Sequence, residues 1–93
     1  MRIFEKTHIA NATTATVGIV VNDAASVLRY INVNTKAAGA TTIYDSASGT
    51  GTIVGVIGSN APEQTFTYDC VMKNGINIHT TAAVDLTVCY EVL

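Results

Sequence analysis

The chain has 93 residues, a net charge of -2 and a pI near 5.4. That length fits one domain of the roughly 50 to 250 residues usual for an autonomous unit, and leaves no room for two cores. Arg2, Lys6, Arg29, Lys36 and Lys73 are scattered, which excludes the clustered basic footprint of a nucleic-acid binder. Uninterrupted apolar runs such as Gly18 to Val21 fall far short of the roughly 20 residues that cross a bilayer, so no membrane partner is expected. The opening Met1-Arg2-Ile3-Phe4-Glu5-Lys6-Thr7 lacks the apolar segment of a signal peptide, and the chain is expected to stay in the cytoplasm where it is made.

Only 13% of the residues are charged, while 48% are apolar and the mean hydropathy is +0.34. Typical soluble domains carry about 25% charged residues. The remaining surface must be rich in Thr, Asn, Ser and Gly, which costs little to desolvate against a partner. A β domain of 9.7 kDa also buries a smaller share of its surface than a large one, and association often supplements such a core. Composition therefore points to a homo-oligomer.

Period-two alternation and β-branched residues recur along the chain, and helix-period patterning is nearly absent. Arg2 to Ile9 predicts a first strand and Thr13 to Val21 a second, ended by the turn chemistry of Asn22-Asp23. Ser26 to Asn34 predicts a third, with Val27, Arg29, Ile31 and Val33 on the core face, Arg29 near its rim, and Leu28, Tyr30, Asn32 and Asn34 on the other. After a loop over Thr35 to Gly39, Ala40 to Ser46 and Gly51 to Gly58 form a hairpin around Ala47-Ser48-Gly49-Thr50. Ser59-Asn60-Ala61-Pro62-Glu63 holds the only proline and predicts a turn.

Gln64 to Met72 places Phe66, Tyr68 and Cys70 inward and Thr65, Thr67 and Asp69 outward. Lys73-Asn74-Gly75 predicts a tight hairpin into Ile76 to His79, because Asn-Gly suits the two positive φ angles of a type I′ turn. Val84 to Leu93 turns Leu86, Val88, Tyr90 and Val92 inward and Asp85, Thr87, Cys89 and Glu91 outward. The expectation is an all-β fold: an antiparallel β-sandwich or jelly-roll-like domain of about eight short strands, spanning 1–93 as one unit, with 1–21 either an arm or first strands.

No catalytic constellation is legible. His8, His79, Cys70 and Cys89 are the soft or borderline metal-ligand types apart from thioethers, and they show no CxxC or HxxxH spacing. A metal site or a Cys-His nucleophilic pair is outweighed by their reading as ordinary strand residues. The phases place Cys70 inside and Cys89 outside, which disfavours a disulfide. Asp45, Asp69, Asp85 and Glu91 fall on separate segments and read as solvated face residues. Gly49-Thr50-Gly51 and Gly55 lack the lysine and helix N-terminus of a phosphate loop and read as turn or bulge positions. Tyr30, Tyr44, Tyr68 and Tyr90 are core or interface tyrosines first, and a sugar-stacking surface second. No catalytic residue, metal or cofactor is assigned. Val54, Val56 and Leu93, apolar yet outward by phase, are the candidate interface residues.

The segment Ile31-Asn32-Val33-Asn34-Thr35-Lys36-Ala37-Ala38-Gly39-Ala40-Thr41-Thr42-Ile43-Tyr44-Asp45, with Val71-Met72-Lys73-Asn74-Gly75-Ile76-Asn77-Ile78 and Asp85-Leu86-Thr87-Val88-Cys89-Tyr90-Glu91, resembles small β-rich virion proteins of tailed phages, most of all capsid decoration (cement) proteins. The resemblance implies a trimeric sandwich or jelly-roll subunit seated on the outer surface of an icosahedral head, with the major capsid protein as partner. It transfers no catalytic residue. The alternative is a receptor- or glycan-binding module of a tail fibre or head fibre, which the tyrosines and the Thr/Asn-rich loops motivate.

Overall fold

The computed structural model describes residues 4–9, 16–35, 38–47, 51–82 and 84–93. They form eight strands: β1 (Phe4–Ile9), β2 (Thr16–Asn22), β3 (Ser26–Thr35), β4 (Thr41–Asp45), β5 (Thr52–Ile57), β6 (Thr65–Met72), β7 (Ile76–Thr80) and β8 (Asp85–Val92). Arg2 and Ile3 of the expected first strand, Thr13 to Ala15 of the second, and the turn residues Ser48, Gly49 and Thr50 lie outside the described residues. Sheet I runs β1-β8-β3-β6 and sheet II runs β2-β7-β4-β5. The all-β sandwich expected from the alternation is therefore the fold, and Phe4–Ile9 and Thr16–Asn22 are strands of it.

The pairing is nested: β1 with β8, β2 with β7, β3 with β6 and β4 with β5, all antiparallel. Pairs β3–β8 and β4–β7 close the two sheets. A ribbon folded once at the β4–β5 turn and then wrapped on itself produces this order, the double Greek key of a jelly roll. Only β4 to β5 returns within one sheet; every other connection crosses between sheets.

That rule overturns the Asn74-Gly75 hairpin. β6 lies in sheet I and β7 in sheet II, so they do not pair. Gly75 has φ 143°, but Asn74 is not in the positive-φ region that a type I′ turn requires. Met72 and Ile76, on either side of the bend, are both fully buried in the core. The chain carries one core position from each sheet across the gap, where a tight hairpin would have kept both in one layer. Asp45, at the end of β4, secures the crossing: its carboxylate accepts the Lys73 N–H at 3.0 Å and the Asn74 N–H at 2.8 Å. The sequence assigned Asp45 to a solvated face; it is a half-buried cap instead. Asn60 in the preceding crossing adopts φ 63°, a left-handed turn conformation that asparagine tolerates.

The core fills the space between the sheets with Leu28, Ile31, Val33, Met72, Leu86 and Val88 from sheet I and Ile43, Ile76 and Ile78 from sheet II, all essentially inaccessible. Burying each such side chain stabilises the fold by about 1.5–3 kcal/mol. Phe66, Tyr68 and Cys70 pack against this cluster as their phase predicts. Gly55 allows the opposite edge to close. A Cβ there would lie 2.7 Å from the Tyr68 ring carbon Cε1, so only glycine lets the ring of β6 settle over β5.

The β3 phase is corrected at Arg29. The pairing of β3 with both β6 and β8 shifts register between Leu28 and Tyr30, a bulge that changes which side chains face inward. Leu28 enters the core ahead of the bulge, Ile31 and Val33 enter it beyond, and Val27 is buried outside the core cluster. In β8, Leu86, Val88 and Tyr90 face the core, but the expected inward Val92 is exposed at the strand end.

Replacing Asp45 by Ala leaves two backbone donors of the crossing without their carboxylate. Urea unfolding of Asp45→Ala should show a loss of about 1–3 kcal/mol. An unchanged midpoint would mean that water satisfies those donors equally well.

Candidate functional site

The two outer faces differ in chemistry because the charged strand residues are partitioned. Glu5, Lys6, Arg29, Asp69, Asp85 and Glu91 belong to strands of sheet I. Asp45 is the one Asp, Glu, Lys or Arg in the strands of sheet II, and its carboxylate is taken up by the crossing.

On sheet I, the register aligns Lys6 with Cys89, Cys89 with Tyr30, and Tyr30 with Thr67, one residue from each strand in a single row. Core residues Val88, Tyr90 and Ile31 flank this row, so alternation turns the row outward. The bulge then adds Arg29 beside it, with Nη1 3.3 Å from Oδ1 of Asp69, a residue held at φ 48°. These six side chains line an open groove of about 490 Å³. Cys89 is on the outer side, as expected, yet buried among them.

A hydrogen-bonded ladder continues the same face. The Thr65 hydroxyl donates to Asn32 Oδ1 at 2.7 Å, Asn32 Nδ2 donates to Asn34 Oδ1 at 2.7 Å, and Asn34 Nδ2 donates to Asp85 Oδ1 at 2.9 Å and Thr87 Oγ1 at 3.0 Å. Asn34 gains this reach from a second register shift of β3 against β8, between Val33 and Thr35.

On sheet II, the register pairs Tyr44 with Asn77 and Ile53, and Thr42 with His79 and Val56. Ile43 and Ile78 between them face the core, which turns these residues outward. Ile53 and Val56 are 57% and 59% exposed. Tyr44 and His79 meet edge to face, ring centroids 4.8 Å apart and planes at 67°, a favoured aromatic geometry. Asn77 is fully buried, and among the described residues neither its amide oxygen nor its nitrogen has a partner; Nε2 of His79 is likewise buried without one.

The expected interface residues separate. Val56 and Leu93 are exposed, but Val54 is the extra residue of a β5 bulge and packs inward against the core. The tyrosines separate too, so no four-tyrosine surface forms. Tyr90 is in the core with its hydroxyl 3.4 Å from the Val21 carbonyl oxygen it donates to, Tyr68 packs on the core over Gly55, Tyr44 faces out from sheet II and Tyr30 lines the groove. Cys70 and Cys89 are both free thiols, Cys70 toward the core and Cys89 on the opposite side. The side chain of His8 lies outside the described residues. Among those described, no three His, Cys, Asp or Glu residues converge as metal ligands, and no helix is long and apolar enough to cross a membrane. No protein-family model, curated protein or solved structure matches the chain.

The groove was not legible in the sequence because its six residues come from four strands, and two depend on a bulge. The local hint was Tyr30 opposite in phase to Ile31, on a strand with a charge at its centre.

Burial pushes the Cys70 thiol above its ordinary 9.0, helped by the carboxylates of Asp45 and Asp69. Burial likewise pushes the Tyr68 phenol above 10.0, with Cys70 adding to the effect. Raised values in the fold mean that the unfolded chain releases these protons first, so the associated stability is complete at neutral pH and is lost as pH climbs past 9. The urea midpoint should fall between about pH 9 and 11, and Cys70→Ala should reduce that slope; the same slope in both proteins would refute the assignment. Asn77→Leu should raise stability by about 1–3 kcal/mol, because it removes two unpaired buried polar atoms without opening a cavity. A lowered midpoint would show that the amide is bonded.

Proposed function

We propose that this protein is a structural subunit of a virus particle, a decoration protein that docks between major capsid subunits and acts as a homo-oligomer, with a trimer the expected state. The observation that carries the reading is the uncharged outer face of sheet II. A face without ionised groups loses little hydration when covered, and the exposed Ile53 and Val56 add a favourable apolar contribution of about 25 cal/mol per Å² buried.

One of its two edge strands, β5, supports the same reading. β1 and β6, the edges of sheet I, carry Glu5, Lys6 and Asp69. Charges of this kind deter unintended pairing. β5 has no charge and no proline, only the bulge at Val54. An edge guarded by one bulge alone, beside an uncharged face, suits strand addition by a partner. The sequence pattern of Ile31 to Asp45, and of the segments after Val71, remains the reason to seek that partner on a phage head. Nothing in this docking requires a catalyst or cofactor.

The second reading, a glycan- or receptor-binding module, is favoured by one observation: the polar groove of sheet I, with Tyr30 set among hydroxyl, carboxylate and cationic groups. The two readings use opposite faces and are compatible in one molecule.

Purified protein mixed with undecorated expanded heads should cosediment in a fixed ratio, and Ile53→Asp/Val56→Asp should reduce retention at least tenfold. Circular dichroism should show that this variant still folds, since both side chains are already exposed. No stoichiometric retention of the wild-type chain would reject the capsid reading. Retention unaffected by the double substitution would reject the face.

A further inference from the structure

We infer that the groove on sheet I is a binding site for a saccharide bearing a carboxylate, with Tyr30 as its stacking platform and Lys6 as its anion contact. The inference rests on the reading of this face as a glycan surface, and it names the ligand class and the residues.

The geometry supports a site in three steps. The row Lys6, Cys89, Tyr30 and Thr67 crosses all four strands, a span of about 14 Å at the usual strand spacing. The groove of about 490 Å³ falls within the roughly 300–1,000 Å³ of small-ligand sites. Its shape is fixed by sheet backbone and by the bulge at Arg29. The Arg29–Asp69 pair at 3.3 Å holds a carboxylate in place, pre-set to accept hydroxyl donors.

The chemistry then selects the ligand. Sugars offer an apolar ring face and a ring of hydroxyls, and the groove offers the half-exposed Tyr30 ring beside the Thr67 hydroxyl and the Asp69 carboxylate. The ladder from Thr65 through Asn32 and Asn34 to Thr87 extends the same donors and acceptors beyond the groove, held in fixed orientations by its own bonds. Such groups exchange hydrogen bonds with a polyhydroxyl ligand without a prior ordering cost. Arg29 is matched by Asp69, whereas Lys6 enters from the opposite edge strand, three strands away from Asp69; the carboxylate nearer to it in register, Glu91, is buried. An ammonium there favours a ligand that carries its own carboxylate. Cys89 forms a small apolar floor.

The test is a two-dimensional NMR titration of the full chain with a uronic-acid oligosaccharide, with the same oligosaccharide reduced at its carboxyl groups, and with a simple dicarboxylate. The inference predicts saturable shifts at the amides of Lys6, Tyr30, Thr67 and Cys89 with the uronate, at least tenfold tighter than with the neutral form. That preference should shrink as salt rises from about 50 to 500 mM. Tyr30→Ala should weaken both sugars about tenfold, and Lys6→Gln should erase the preference while leaving the neutral affinity. Equal affinity for acidic and neutral sugars would overturn the carboxylate assignment and leave the glycan reading standing. Shifts from the dicarboxylate alone, or from no probe at all, would overturn both.

Discussion

Nested antiparallel pairing is the constraint from which the remaining features follow. Once β4 and β5 turn back on each other, β3 must find β6, β2 must find β7 and β1 must find β8. Six of the seven connections then have to cross between layers. Burial of Leu28, Ile31, Leu86 and Val88 against Ile43, Ile76 and Ile78 holds the layers together, and the Asp45 carboxylate on the Lys73 and Asn74 amides pins one of the crossings. A single acidic side chain thus ties the end of the central hairpin to the passage between β6 and β7.

The same nesting sorts the surface chemistry. Apart from β4 and β5, strands that are neighbours in sequence end in different sheets; the charged residues of β1, β3, β6 and β8 lie on one layer, and the uncharged β2, β5 and β7 on the other. Neither sheet is assembled from one contiguous stretch of chain. The result is a sandwich with a charged, hydrogen-bonded face carrying a groove and an opposite face that is cheap to desolvate.

How much of this the sequence disclosed depends on the range of the interaction concerned. Strand positions follow from local alternation, and Ser26–Thr35 and Thr65–Met72 fall close to where their patterns place them. The inward phase of Phe66, Tyr68 and Cys70, and of Leu86, Val88 and Tyr90, was legible for the same reason. Bulges were not. Each inserts one residue without a compositional mark, and those at Arg29 and Val54 reversed the faces assigned to Leu28 and Val54. Asn74-Gly75 misled because the local turn preference is real but weaker than the demand that Met72 and Ile76 reach the core from opposite layers. The groove and the uncharged face required knowledge of which strands are neighbours, and no single segment carries it.

Amide hydrogen exchange, compared between the free chain and the chain in its assembled or docked form, tests most directly the claim that topology has made sheet II the attachment face. If sheet II is the attachment face, new protection concentrates in the edge strand β5 and the adjoining β4, with the exchange of β1 and β6 unchanged. Protection confined to β1, β6 or the groove row, with β5 exchanging as in the free chain, would contradict it.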